Sequence, residues 1–248
     1  MILFEMKGDL IMIYEFDSDI VKNEEDVFIM LDNLLEKREN DWWNKFYTAK
    51  DRPIPFFKNI PDENLVSYVD RQLYKSGKVL DVGCGRGRNS IYLAKEGFEV
   101  EGIDFSEASI QWAKETAAAE GVKVNFICNS IFEFEAGEGQ YDYIYDSGCF
   151  HHIKPHRRGL YLNTILKNLK PEGYFGMACF NLKGGANISD YDVYRDYSMH
   201  GGIGFSQYKL KTILEDYFEI IEFREMKDSN NENILGNSFL WTVLMKRR

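Results

Sequence analysis

Two stretches of the chain concentrate residue types that do chemistry. Tyr145-Asp-Ser-Gly-Cys-Phe-His-His-Ile-Lys-Pro-His-Arg-Arg158 gathers three of the four histidines and one of the four cysteines. Such a set suits a metal site, a Cys/His nucleophile pair, or a loop lining a site built elsewhere. Lys78-Val-Leu-Asp-Val-Gly-Cys-Gly-Arg-Gly-Arg-Asn-Ser-Ile-Tyr-Leu-Ala94 is a β-rich run ending in acid Asp81. It then passes glycines at 83, 85 and 87 and opens a helical pattern. Glycine lets backbone approach a ligand closely, and the N-terminus of the following helix favours a carboxylate or phosphate.

The elements that must hold these stretches follow from hydrophobic patterning. From Lys78 onward, β-rich runs at 78–82, 98–103, 123–128, 141–146, 173–180, 218–226 and 238–246 read as strands. Helical patterns fill 88–96, 106–120, 156–169 and 206–217. Alternating strand and helix predicts βαβ units, hence a mostly parallel sheet covered on both faces. Only the turn-rich Asp228-Ser-Asn-Asn-Glu-Asn233 joins the last two strands, which predicts an antiparallel edge hairpin. Residues 1–75 differ. Asn23 caps a predicted helix to about residue 39, with Glu24, Glu25 and Asp26 near its positive end. An aromatic segment, Trp42 to Phe57, follows, and a second helix is predicted at 62–75 after Pro61-Asp62.

Composition narrows the class. A net charge of −10 over 248 residues argues against a broad surface for nucleic acid or anionic membrane. No apolar run reaches the ~18–20 residues needed to span a bilayer. Cysteines 84, 128, 149 and 179 form no C-x-x-C pair and no zinc spacing, which fits a reduced, cytoplasmic protein with small buried thiols. Arg157-Arg158 and Lys246-Arg247-Arg248 read as a helix flank and a solvated tail.

The glycine turn does not fit a dinucleotide fingerprint well. Its sixth position is Arg88 rather than Gly or Ala, and Asp81 puts negative charge where a pyrophosphate would be repelled. Asp104 ends the next predicted strand, 21 residues after Gly83, and suits a ribose diol. Glycines with acids at two successive strand tips form a stronger signal than either alone.

At these residues the chain resembles the class I S-adenosylmethionine-dependent methyltransferases, over about residues 65–248, with closer likeness to small-molecule branches of the thiopurine and tellurite type. The resemblance implies a Rossmann-like α/β fold, a doubly wound sheet of seven strands ordered 3-2-1-4-5-7-6, with strand seven antiparallel. It assigns the methionine end of the cofactor S-adenosylmethionine to the turn holding Asp81, Gly83, Cys84, Gly85, Gly87 and Asn89. Asp104 would take the ribose, with Phe105 beside the adenine and Ser106 following. Asn129, Ser130 and Ile131 stand where the class reads the adenine amino group, usually with an Asp. Leu169-Lys-Pro-Glu-Gly-Tyr-Phe175 matches the turn entering strand five.

In that map the histidine-rich stretch follows strand four, at the topological switch point where such sheets bind ligands. Asp146 and Ser147 fall near the cofactor, and His151 or His152 near the acceptor, either one a possible base. His156, Arg157 and Arg158 begin a helix in solvent. No metal and no dedicated catalytic residue is required, because a sulfonium is already an activated leaving group.

Two further segments flank this site. Residues 1–64 form a helical extension whose Trp42–Phe57 part either covers sheet edges or closes as a lid, with Tyr47, Phe46 and Arg52 facing ligand. Residues 65–248 form the cofactor-binding domain. Within it, 181–205 is a long insertion that either packs as a cover or forms the acceptor pocket, with Tyr191, Tyr194, Tyr197 and His200 on one side and a glycine hinge at 201, 202 and 204. The expected activity is methyl transfer to oxygen, nitrogen, sulfur or a related atom of a small molecule, with no nucleic-acid or membrane partner. The rival readings are a non-catalytic cofactor-binding module and an NAD-type oxidoreductase. Oligomeric state is not legible.

Overall fold

The computed structural model describes residues 20–35, 42–48 and 54–248. Among them a single sheet of seven strands runs through the chain: β1 (Lys78–Val82), β2 (Glu99–Asp104), β3 (Asn125–Cys128), β4 (Tyr141–Ser147), β5 (Leu169–Phe180), β6 (Phe218–Glu225) and β7 (Leu240–Arg247). The order is β3-β2-β1-β4-β5-β7-β6, as the resemblance implies. The first five strands are parallel, and β7 runs antiparallel to both β5 and β6.

Both faces are covered, which is why strands read as continuous apolar runs rather than alternating ones. Val79 and Leu80 are adjacent in β1 and both fully buried, one in each of two core clusters. The helices are α1 (Glu24–Leu35), α2 (Trp42–Thr48), α3 (Glu63–Asp70), α4 (Arg88–Lys95), α5 (Glu107–Ala119), α6 (Arg158–Asn168), α7 (Asp190–Arg195) and α8 (Gln207–Leu214). Asn23 caps α1 as expected, its Oδ1 accepting from the Asp26 N–H at 3.0 Å. None of these helices is long and apolar enough to cross a membrane.

Several boundaries move for local reasons. The helix expected over 62–75 stops at Asp70, because Gln72 turns left-handed (φ 56°) and the Leu73 and Tyr74 N–H groups both return to the Tyr68 carbonyl. β5 begins at Leu169 instead of 173, since Leu169 already pairs with Tyr141 before a register shift. The expected solvated tail is instead the end of β7, where Arg247 donates to the Leu169 carbonyl and Lys246 pairs with Glu172. The predicted helix start at 156 becomes a short 3-10 turn, Pro155–Arg157, with α6 opening at Arg158.

Candidate active site

The parallel strands β1, β2 and β4 end side by side, so their C-terminal loops share one rim. The first loop is the glycine turn. Gly83 (φ 63°) and Gly85 (φ 53°) are left-handed, and each is also crowded. A Cβ on Gly83 would sit 2.9 Å from Cys149 Cβ, and one on Gly85 would sit 2.7 Å from the Tyr47 hydroxyl. No larger residue fits either place. Gly87, also left-handed, is the N-cap of α4. Beside this turn Asp104 ends β2. Its carboxylate accepts from the Gly85 N–H and the Ser106 N–H, both at 2.9 Å. Burial raises its proton affinity, and these two bonds oppose the rise. The turn and the acid are thus one hydrogen-bonded unit, with Phe105 beside it 49% exposed.

Asp81 has a different place. It is buried under the turn, where it accepts from Ser90 Oγ at 2.5 Å. Burial pushes its carboxyl up to about 7 despite that bond. Asp146 is its counterpart at the end of β4. It accepts from the Cys149 and Phe150 N–H groups (2.8 and 3.0 Å) and from the Tyr161 hydroxyl (2.5 Å). Burial raises it likewise to about 7. Each acid braces the loop after its own strand. Cys84 and Cys149 are pushed up by burial as well, which leaves them thiols at neutral pH.

Arg88, which disqualified the turn as a dinucleotide site, carries a buried network. Its guanidinium pairs with Asp62 at 2.7 Å and donates to the Ile60 carbonyl (3.1 Å) and to Ser147 Oγ (2.8 Å). Asn89 donates to Asp62 at 2.9 Å, and so does the Tyr145 hydroxyl. Burial alone would raise the Asp62 carboxyl, but Arg88 holds it below the ordinary range. Segment 60–63, bonded in addition to Leu235, is thereby clamped to the start of α4 and the end of β4. Sequence reasoning missed Asp62 and Tyr145. The only available signal was that a buried Arg88 needs a carboxylate, and nothing local identifies which one.

The aromatic segment folds over the same rim. α2 lies against α5, and Asn44 accepts from Ser106 Oγ at 2.8 Å. Tyr47 is buried over Gly85, stacked on Phe57 and Trp43. Burial and the nearby Asp104 carboxylate push its phenol well above its ordinary value. Phe57 meets Trp112 edge-on, with the Arg86 guanidinium 4.2 Å from the Trp112 ring. Phe46 packs edge-on against Tyr47. Arg52 lies outside the described residues.

The histidines separate. His151 is 3% exposed, stacked on Phe180 at 3.7 Å, and its Nδ1 accepts from the Phe180 N–H. His152 meets Trp43 edge-on at 4.9 Å. Burial lowers its proton affinity to about 4. His156, expected in solvent, is instead enclosed: its ring contacts the Tyr194 hydroxyl (2.8 Å) and Asp32 (3.1 Å). Arg157 also binds Asp32, and Arg158 is buried against Asp190 and the Phe205 ring. α1 arrives opposite this turn and carries Asp32, so the basic cluster neutralises a remote acid rather than facing water. Asn129 accepts from the Ser130 N–H through Oδ1, and Ile131 enters the main core.

The insertion departs from expectation. α7 ends at Arg195, and Tyr197 is left-handed (φ 51°), so Tyr191, Tyr194 and Tyr197 do not share one helical side. Tyr194 turns inward to His156, Tyr197 is 63% exposed, and His200 pairs with Asp196 at the surface. The part of the segment that reaches the rim is Gly202, packed against His151, His152 and Phe180.

Comparisons with known proteins agree with this architecture. Residues 79–173 match the family described as a methyltransferase domain. The carboxy-S-adenosyl-L-methionine synthase of Nautilia profundicola is 31% identical over 167 residues, 64% of this chain and 68% of that protein. The ubiquinone biosynthesis O-methyltransferase of Rickettsia akari is 30% identical over 141 residues, 56% of this chain and 55% of its own. The chain therefore spans only about half the length of the curated relatives of this kind that it matches. Among solved structures, the 1,6-didemethyltoxoflavin-N1-methyltransferase of Burkholderia thailandensis superposes with a TM-score of 0.59 at 20% identity, covering 92% of this chain and 91% of that one. TehB of Haemophilus influenzae gives a TM-score of 0.57 at 21% identity, with coverage of 84% and 66%. These two establish the shared fold. With the domain match and the Nautilia relative, they place the protein in a class: Rossmann-like methyltransferases with a seven-stranded sheet. The chain belongs to the S-adenosylmethionine-dependent methyltransferases.

Proposed function

We propose that this protein transfers the methyl group of S-adenosylmethionine to a small-molecule acceptor. The observation that carries the reading is the joined unit of glycine turn and Asp104. It offers bare backbone, a helix N-terminus and a carboxylate on one rim. Those features fit the cofactor: the left-handed glycine turn runs directly into the N-terminus of α4, Asp104 suits its ribose diol, and the exposed Phe105 suits the adenine face. When bound, it supplies a methyl carbon activated by positive sulfur. The chain's own part is to orient, and orientation can contribute on the order of 7–11 kcal/mol. Asp81 and Asp146 serve from beneath by bracing their loops, and Ser147, fixed by Arg88, edges the site. Asn129 and Ser130 are assigned to the adenine end.

In the same reading residues 1–64 act as a lid on a catalytic domain of 65–248, supported by Tyr47 over Gly85 and Asn44 on Ser106. Residues 181–205 contribute to the acceptor side through Gly202. The acceptor is small, with no nucleic acid or membrane involved, as the names of the relatives and the acidic charge suggest. Cytoplasmic residence is supported by four free cysteines. Calorimetry with S-adenosylmethionine, S-adenosylhomocysteine and NAD tests the cofactor. Micromolar binding of both sulfur compounds and none of NAD is expected; no binding of either sulfur compound defeats the proposal.

A further inference from the structure

We propose that the cleft between residues 54–60 and the β6–β7 loop is a second ligand site, which takes a short apolar peptide with free ends and tightens cofactor binding when filled. The coupling rests on the methyltransferase reading above; the peptide site itself does not.

The cleft has a volume of about 630 Å³, within the ~300–1,000 Å³ usual for small-molecule sites. Both walls are apolar, with Ile54, Phe57 and Ile60 on one and Ile234 and Leu235 on the other. The second wall is ordered by its own bonds. Asp228 Oδ1 accepts from the Ser238 N–H at 2.7 Å, Ser229 Oγ from the Asn231 N–H at 3.1 Å, and Asn231 Oδ1 from the Asn233 N–H at 2.9 Å. At the base the Leu235 N–H donates to the Pro61 carbonyl and the Leu235 carbonyl accepts from the Glu63 N–H, both at 2.8 Å, which ties the two walls together.

Four polar side chains along this lining stay uncommitted. Lys58 is its only cation and Glu232 its only acid, both exposed, and neither side chain has an ion pair or hydrogen bond within the described residues. The same holds for the carboxamides of Asn230 and Asn237. One charge of each sign fits a zwitterion: a fatty acid would bring a like charge to Glu232, and a polyamine would do so to Lys58. A carboxamide both donates and accepts, as a peptide bond does. A free amino acid matches the charges but brings no amide for the asparagines. A peptide of two or three apolar residues satisfies every group, with its carboxylate toward Lys58, its ammonium toward Glu232 and its side chains on the apolar walls.

Two chains of contacts lead from the cleft to the cofactor rim. Phe57 lines the cleft and stacks on Tyr47, which lies over Gly85. Ile60 also lines it, and its carbonyl accepts from Arg88, which pairs with Asp62 and donates to Ser147 at the end of β4. A ligand packed against Phe57 and Ile60 holds both contacts in place and keeps residues 42–60 seated over bound cofactor. Such coupling is reciprocal, so cofactor tightens the peptide by the same factor.

The test is calorimetry on the full chain with leucyl-leucine, its doubly blocked form N-acetyl-leucyl-leucinamide, and aspartyl-aspartate. Leucyl-leucine should bind with a Kd of about 0.1–1 mM, the blocked form about tenfold more weakly or worse, and aspartyl-aspartate not at all. Lys58→Gln and Glu232→Gln should each weaken leucyl-leucine about three- to fivefold and leave S-adenosylhomocysteine affinity, measured without peptide, unchanged. Saturating leucyl-leucine should tighten S-adenosylhomocysteine about fivefold. No binding of leucyl-leucine, equal binding of the blocked form or of aspartyl-aspartate, full affinity in both variants, or an S-adenosylhomocysteine affinity that peptide leaves unchanged or weakens overturns the proposal. If S-adenosylhomocysteine itself fails to bind, the methyltransferase reading falls, and the peptide titrations still judge the cleft.

Discussion

Two strand-to-helix crossings, β1 to α4 and β4 to α6, solve the same problem in different ways. Each strand ends near a buried aspartate, Asp81 or Asp146, and each helix opens on a buried arginine, Arg88 or Arg158. After β1 the connection is five residues, three of them glycine, braced by Ser90 from the helix it enters. After β4 it is ten residues, wrapped by α1, α2, α7 and the Gly202 backbone. The short crossing takes its turn from its own left-handed glycines, although Tyr47, Asp62 and Cys149 also close on it. The long one is shaped by chain more than 100 residues earlier, as the Asp32–Arg157 bond illustrates with a separation of 125. A constant cofactor needs the first kind of loop; an acceptor site that differs between enzymes can use the second.

The sharpest way to break the comparison is through the two arginines. Asp62 is fully buried against Arg88, whereas the side chain of Asp190, the partner of Arg158, is 42% exposed. Asp62→Ala strands a buried guanidinium and should cost about 3–5 kcal/mol of stability. Asp190→Ala leaves Arg158 nearer to water and should cost only about 1–2 kcal/mol. Urea unfolding of both variants measures the difference, and equal losses would mean that the two crossings are equally dependent on their ion pairs.

Asp104→Ala should act on ligand more than on fold. It removes a charged acceptor and leaves the Gly85 and Ser106 N–H groups without their partner. Hydrogen bonds to charged groups contribute about 1.5–3 kcal/mol, so S-adenosylmethionine affinity should fall roughly 10- to 150-fold. An unchanged calorimetric affinity in a folded variant removes Asp104 from the ribose role.

This contrast also explains what could be read from sequence. The glycines, Asp81 and Asp104 announce themselves within 24 residues, because short loops are governed by nearby sterics and hydrogen bonds. Alternation implied the mostly parallel sheet, and the resemblance implied its strand order. The placement of His156, Arg157 and Arg158 was misjudged, since their partners, Asp32 for the first two and Asp190 for Arg158, belong to other helices. The tyrosine stripe failed for a smaller reason: Tyr197 leaves the helix, so three-residue spacing no longer places it beside Tyr194.

A pH series sharpens the shared part of the comparison. Asp81 and Asp146 both stand near 7 in the folded chain, well above an unfolded carboxyl near 3.8. Between those values the folded state binds more protons, so stability should fall as pH rises from about 4 to about 7. From pH 5.5 to 7.5 the loss should be about 1–2 kcal/mol for each carboxyl. Asp62 and Asp32 are depressed, and therefore lose their stabilising charge only in acid below this window. Thermal melts of Asp81→Asn and Asp146→Asn should each remove part of the slope. A flat profile in the parent chain would show that neither acid holds its proton.

The smallest effects should come from the insertion. Tyr194 receives the His156 N–H at 3.0 Å and contacts its ring at 2.8 Å, so Tyr194→Phe should cost about 0.5–1.5 kcal/mol of stability. Tyr197 is largely exposed, and Tyr197→Ala should stay within about 0.5 kcal/mol. Neither variant should change S-adenosylmethionine affinity, because both side chains point away from the glycine turn, one into the α1–α7 contact and the other into solvent. Measured acceptor KM then separates two roles for residues 181–205. If it moves with Tyr197→Ala, the exposed tyrosine closes onto acceptor during turnover. If it moves only when Gly202 is enlarged to Ala, which would press a Cβ to 3.0 Å from the His151 ring, the backbone at Gly202 alone shapes the acceptor wall.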